Sequence, residues 1–136
     1  MKSALPKVLH PIAGRPMLAH VLAVAKGLEA ARIVVVTAPG ADSIARLAET
    51  WGAQSVVQER QLGTGHAVLA AEKALAGFDG NVLVLFGDAP LLTDATLSRL
   101  TARLAQGADL AALGFRAADP TGYGRMIAQG QSLIRI

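Results

Sequence analysis

Residues 81–90 read NVLVLFGDAP, and this stretch decides the fold. After Asn81 every residue to Phe86 is apolar, the pattern of a short strand covered on both faces. The run ends directly in Gly87-Asp88-Ala89-Pro90. Gly87 permits close backbone approach, and Pro90 stiffens the exit. In open α/β sheets, ligands bind outside the carboxyl ends of the strands. An acid at such an end either holds a hard cation such as Mg2+, which prefers oxygen, or caps a turn.

Working outward, the flanking segments alternate. Residues 1–15, with two prolines and a glycine, read as an ordered loop. Pro16 suits the first turn of a helix whose apolar face is Met17, Leu18, Val21, Leu22, Ala25 and Leu28, with Gly27 near its end. Residues 32–38, RIVVVTA, form a buried-type strand stopped by Pro39 and Gly40. A helix over 41–51 carries Ile44, Leu47, Ala48 and Trp51 on one face, and QSVVQ at 54–58 is a second strand. Thr64 is placed to cap a helix running to about Leu75. Thr93 caps another, with Asp94 favourable in its first turn and Leu97, Leu100 and Leu104 on its buried face. A further strand is expected over 108–116 and a hairpin over 124–136. The order loop-α-β-α-β-α-β-α-β predicts an α/β fold, a parallel sheet with helices on both faces. A doubly wound domain normally opens with the strand at its centre, whereas this chain opens with a loop and a helix. Both ends therefore read as cut, which leaves edge strands unpaired and favours self-association.

Composition narrows the class. The 136 residues contain no cysteine, which excludes a disulfide scaffold, a thiolate metal site and a cysteine nucleophile. Hydrophobic residues make up 52% and aromatics 4%, so an aliphatic core is favoured over an aromatic nucleic-acid platform. No apolar run is long enough to span a bilayer and no signal peptide is present, so a cytoplasmic location without membrane contact is expected. Residues 1–28 hold Lys2, Lys7, Arg15 and Lys26 and no acid, so the net charge of +3 resides in the N-terminal segment. That charge suits a small anionic substrate or a solvated basic face, and is too small for a nucleic-acid stripe.

Three other segments can carry chemistry. Lys7, in LPKVL, is a charge held in an apolar stretch stiffened by Pro6. A phosphate partner or a snorkelling surface lysine accounts for it equally well. In LGTGH, residues 62–66, two glycines flank Thr64 at a helix start, the form of an anion-binding or base-binding loop or of a tight turn. His66, His10 and His20 are each more often packed side chains than catalysts. DPTGYGR, residues 119–125, makes a shaped loop able to lie along a sugar or base. No Ser-His-Asp pattern, Walker loop or clustered zinc spacing is present, which weighs against hydrolase and ATPase readings.

In order, LPKVLHPIAGRPML, QERQLGTGHA, VLVLFGDAPLL and DPTGYGR resemble one family. It is the uridylyltransferase domain of the bacterial bifunctional N-acetylglucosamine-1-phosphate uridylyltransferase/glucosamine-1-phosphate acetyltransferases. The resemblance runs through essentially the whole chain and implies a Rossmann-like nucleotidyltransferase sheet. It implies that Lys7 contacts substrate phosphates and that Asp88 is the Mg2+ ligand. It also implies that Gln58 reads the uracil, with Gly63 and Thr64 completing the base pocket. Phe86, Gly87 and Asp88 would lie beneath the ribose and sugar. A Tyr is also common where Phe86 stands, so a hydroxyl contact is lost. Gly124 would give a backbone contact to N-acetylglucosamine. The implied partners are UTP, N-acetylglucosamine-1-phosphate and UDP-N-acetylglucosamine, a precursor for peptidoglycan and cell wall biogenesis.

Departures from the family are equally definite. Its members begin with a strand and a glycine-rich LAAGxGTR loop, and Met1 aligns just after that loop. Further sugar and Mg2+ contacts of the family lie beyond Ile136, and the β-helix acetyltransferase domain has no counterpart. Residues 1–136 are therefore expected to be a partial nucleotidyltransferase domain with impaired turnover. Two alternatives stand beside this: a non-catalytic nucleotide-sugar-binding module, or a nucleotidyltransferase acting on another sugar phosphate.

Overall fold

The computed structural model describes residues 3–130 and 132–135. Lys2, one of the four N-terminal basic residues, and Gln131 and Ile136 of the expected hairpin lie outside the described residues. The chain divides into two units, Met1–Arg99 and Leu100–Ile136.

The opening segment holds more order than a loop. A single 3₁₀ turn spans Lys7–Leu9. A small antiparallel hairpin follows, β1 (Pro11–Ile12) against β2 (Arg15–Pro16). Its two linking residues, Ala13 and Gly14, both have positive φ, 49° and 76°, as a two-residue type I′ connection requires. His20 ties this hairpin down, its Nε2 lying 2.9 Å from the Ile12 carbonyl. Pro16 ends β2 and stands just before helix α1 (Met17–Gly27), not inside its first turn.

Leu18, Ala19, Val21, Leu22 and Ala25 form the buried face of α1, the face its 3.6-residue period predicts. Strand β3 (Val34–Thr37), helix α2 (Asp42–Thr50) and strand β4 (Gln54–Val57) then make a parallel crossover unit. Val34 pairs with Gln54 and Thr37 with Val57 in the parallel register. Leu18 and Leu22 pack with Ala48 and Ala53, and Val8, Ile33, Val35, Ile44, Leu47 and Trp51 close around them. One core thus joins α1, α2 and the strand pair.

Helix α3 (Thr64–Ala70) is followed by a 3₁₀ turn at Glu72–Leu75. Two expectations change here. The helix stops at Ala70, and Gly63, not Thr64, is its N-terminal boundary residue, with φ of 99°. No side chain caps it. The left-handed backbone at Gly63 sets the entry angle instead, a geometry glycine adopts without a Cβ clash. Beyond the 3₁₀ turn, Arg32 donates to the Ala76 carbonyl at 3.0 Å and lies over the Phe78 ring.

The run 81–86 makes no ladder with any described strand. Its exposure still alternates: Val82, Val84 and Phe86 are exposed and Leu83 and Leu85 half-buried. The expected strand is thus not formed, because a continuously apolar run becomes a strand only where neighbours accept its backbone hydrogen bonds. Helix α4 (Asp94–Ala105) begins as predicted: Thr93 Oγ1 accepts from the Thr96 N–H at 3.3 Å, and Leu97 is fully buried.

In the second unit the strand expected over 108–116 is likewise absent, and Leu110, Leu113 and Phe115 are exposed. The same reason holds, since no described segment pairs with it. Phe115 meets Tyr123 edge-on, ring centroids 5.1 Å apart. The expected hairpin is present, β5 (Ile127–Gln129) antiparallel to β6 (Ser132–Arg135). The fold is α/β, with its parallel pairing carried by β3 and β4.

Candidate nucleotide site

Lys7 and Asp88 stand 81 residues apart in sequence, yet the Lys7 ammonium donates to Asp88 Oδ2 at 2.6 Å. The neighbouring residues explain the meeting. A Cβ on Gly87 would lie 3.4 Å from both Val8 Cγ1 and Leu18 Cδ1. The 86–88 backbone therefore lies in contact distance of the 3₁₀ turn and α1. Packing of Val8 on Gly87 brings the residues beside them, Lys7 and Asp88, into contact. The Lys7 hydrogen bond holds the Asp88 carboxyl below its ordinary range, against a smaller opposing effect of desolvation. Both side chains remain open to solvent, 62% and 38% exposed, so an incoming ion or phosphate can reach them.

A second cluster forms at the end of β4. The Gln58 N–H donates to the Thr37 carbonyl at 2.8 Å, extending the parallel ladder one step past Val57. Gln58 therefore sits at the carboxyl end of the strand pair, where α/β sheets bind ligands. Its side-chain Nε2 lies 3.1 Å from the Gly63 carbonyl and 2.9 Å from His66 Nδ1. Gln58, Gly63 and His66 are thus joined directly, with the exposed Thr64 between the latter two in sequence. Phe86 is exposed beside Gly87 and Asp88.

Gly124 belongs to the second unit. There the Thr121 N–H donates to Asp119 Oδ1 at 3.0 Å, which lowers the Asp119 pKa. The Tyr123 N–H closes a turn on the Pro120 carbonyl at 3.1 Å, with Gly122 at φ 79°. Positive φ at the third turn position is the type II arrangement, which favours glycine. Arg125 donates to the Tyr123 carbonyl across Gly124.

The three histidines separate clearly. His20 bonds main chain, and His10 Nε2 is buried with no partner among the described residues. His66 alone touches a candidate site residue, a role sequence reasoning left unassigned. Nothing in the spacing of positions 58 and 66 marks them as neighbours, because an irregular loop separates them.

A divalent metal fits Asp88 in one particular way. Mg2+ keeps several waters and is bound through one or two carboxylates plus substrate phosphates, not by an all-protein cage. Asp88 offers one solvent-reachable carboxylate, and no group of three acidic or histidine side chains gathers among the described residues.

The MobA-like NTP transferase domain family matches residues 1–130. The chain belongs to that family. Among curated relatives, it is 54% identical over 138 aligned residues to the bifunctional protein GlmU of Bradyrhizobium sp. (strain ORS 278), covering 100% of this chain and 31% of that protein. It is 51% identical to the bifunctional protein GlmU of Parvibaculum lavamentivorans, covering 100% of this chain and 30% of the relative. The corresponding protein of Ruegeria pomeroyi is 54% identical over the same shares, 100% and 30%. The chain thus spans about 30% of the length of these relatives. These matches bear out the resemblance drawn from the four sequence motifs, and the NTP transferase family accounts for the α/β fold. Among the described residues, no helix is long and apolar enough to cross a membrane.

Proposed function

We propose that this MobA-like domain serves transfer of UMP from UTP to N-acetylglucosamine-1-phosphate, giving UDP-N-acetylglucosamine and pyrophosphate. The observation that carries this is the Lys7–Asp88 pair, a cation of the kind that binds phosphate and a carboxylate of the kind that holds Mg2+, 2.6 Å apart. The similarity to GlmU proteins supports the choice of nucleotide and sugar.

In this reading an oxygen of the sugar phosphate attacks the α-phosphorus of UTP. The bond from that phosphorus to the bridging oxygen breaks, and the electron pair leaves with pyrophosphate. No protein nucleophile is needed, so the protein's work is alignment and charge stabilisation. Lys7 exchanges its carboxylate partner for a substrate phosphate. Asp88 would hold Mg2+, whose charge, when bound, neutralises the phosphate oxygens. Gln58 reads the uracil beside Gly63 and Thr64. Phe86 and Gly87 lie beneath the ribose and sugar, and the Gly124 backbone contacts the N-acetylglucosamine. A cytoplasmic setting follows from these soluble substrates.

Calorimetric titration of the chain with UTP and Mg2+ tests the reading. Binding that is lost in Asp88→Ala supports it, and absence of binding overturns it. Pyrophosphate release from UTP and N-acetylglucosamine-1-phosphate should be slight for these 136 residues alone. They contain no LAAGxGTR-type loop to cradle the triphosphate. A rate near that of a full-length relative would overturn the expectation of impaired turnover. A panel of other sugar phosphates checks the acceptor.

A further inference from the structure

We infer that His66 is a positioning residue that turns the Gln58 amide so that its oxygen, and not its nitrogen, faces the nucleotide base. The inference rests on the reading of Gln58 as the base-contacting side chain and adds the device that sets its polarity. The Gly63 carbonyl can only accept a hydrogen bond, so the amide atom 3.1 Å from it must be the NH2 group. That carbonyl is itself held in place, because it also accepts the Ala67 N–H at 3.1 Å in the first turn of α3. The same NH2 group lies 2.9 Å from His66 Nδ1, and as a donor only it has its second hydrogen to give there. Nδ1 must therefore carry a lone pair, which puts the imidazole proton on Nε2.

Both amide hydrogens are then spent, and Gln58 has only Oε1, an acceptor, to offer a ligand. Uracil carries an N3–H donor on its pairing edge, whereas cytosine carries a lone pair at N3. A glutamine locked with its oxygen outward accepts from the first and repels the second. Without His66, only the bond to Gly63 restrains the amide, one N–H is free to turn outward, and the discrimination weakens. The Gln58–His66 contact is partly buried, so water competes poorly for either partner.

The test compares binding of UTP and CTP, each with Mg2+, to the chain and to its His66→Ala, His66→Asn and Gln58→Ala variants. The wild type should prefer UTP, and His66→Ala should lower that preference about tenfold, the scale expected when a partly buried polar group loses its partner. His66→Asn should restore it, because Asn Oδ1 takes the place of Nδ1. In the ligand-free chain, the 15N signals of His66 should report a proton on Nε2 and a bare Nδ1. If the alanine variant fails to fold, His66→Gln replaces it, since its acceptor lies away from the Nδ1 position. An unchanged UTP preference without the His66 acceptor, or a proton on Nδ1, overturns the inference while leaving the base-reading role of Gln58 intact. Equal binding of the two nucleotides by the wild type, or full preference retained in Gln58→Ala, overturns that role and this inference with it.

Discussion

At the scale of single residues, Lys7 and Asp88 hold each other in the absence of a ligand. Their exposure limits what the pair adds to stability, since exposed ion pairs contribute about 0–1 kcal/mol. Lys7→Met should therefore change the unfolding free energy by less than about 1 kcal/mol. Its effect on titration should be plain. The Lys7 hydrogen bond lowers the Asp88 pKa in the folded chain. The stabilisation is thus present above the unfolded carboxyl value and is lost as pH falls through the lower, folded one. In Lys7→Met the Asp88 carboxyl should titrate closer to the ordinary value, at higher pH than in the wild type, as followed by its 13C carboxyl shift. An unmoved titration would mean that the ion pair does not persist in solution. The same variant should weaken UTP binding about tenfold or more, the loss of a charge-assisted phosphate contact, with the melting temperature nearly unchanged. A melting temperature that falls together with affinity would assign Lys7 a structural role instead.

At the scale of elements, three helices close with one hydrogen-bond pattern and one of them departs in residue type. After α2, the Ala53 N–H reaches the Ala48 carbonyl and the Gly52 N–H reaches Glu49, with Gly52 at φ 74°. After α4, Ala108 and Gly107 repeat the arrangement onto Arg103 and Leu104, with Gly107 at φ 93°. After α1, Ala30 and Glu29 do so onto Ala25 and Lys26, but the left-handed residue is Glu29, at φ 54°. This is the Schellman ending, whose left-handed position is usually glycine. Glu29→Gly should raise stability by about 0.5–1 kcal/mol, since relief of the Cβ clash outweighs the extra freedom of the unfolded chain. Chemical denaturation checks it, and a loss of stability would show that the Glu29 side chain contributes more than its backbone strain costs. The sequence disclosed the elements whose signal is local. The α1 face from Leu18 to Ala25 recurs every three to four residues, and the branched runs of β3 and β4 are bounded by Pro39-Gly40 and Gly52. The same locality hid the rest. A strand is a relation between segments, so the apolar run 81–86 announced a strand without revealing that no partner would pair with it. At the candidate site, Asp88 was legible from its place after an apolar run, and Gln58 only through the family resemblance. The Lys7–Asp88 and Gln58–His66 contacts were not, because each depends on where an irregular loop turns.

At the scale of the whole molecule, the first unit leaves unusual apolar surface in water. Val82, Val84 and Phe86 are exposed along one side of an unpaired run, and Leu91 beyond it is 84% exposed. Strands β3 and β4 form a sheet of only two, so each keeps an open edge among the described residues. Unpaired edges and contiguous apolar patches are the features through which chains pair with copies of themselves. We therefore expect the 136-residue chain to associate reversibly as its concentration rises, with the 82–86 face covered by a second copy. Sedimentation velocity over a wide concentration range should show the mean coefficient increasing, and Val84→Lys should reduce that increase. Val84 suits the purpose because it is exposed and lies outside the Lys7–Asp88 and Gln58–His66 clusters. A charge placed there disfavours apolar association while leaving the α1–α2 core untouched. A wild-type chain that sediments as a compact monomer at every concentration would overturn the expectation. So would undiminished association in Val84→Lys, which would move the contact to another surface.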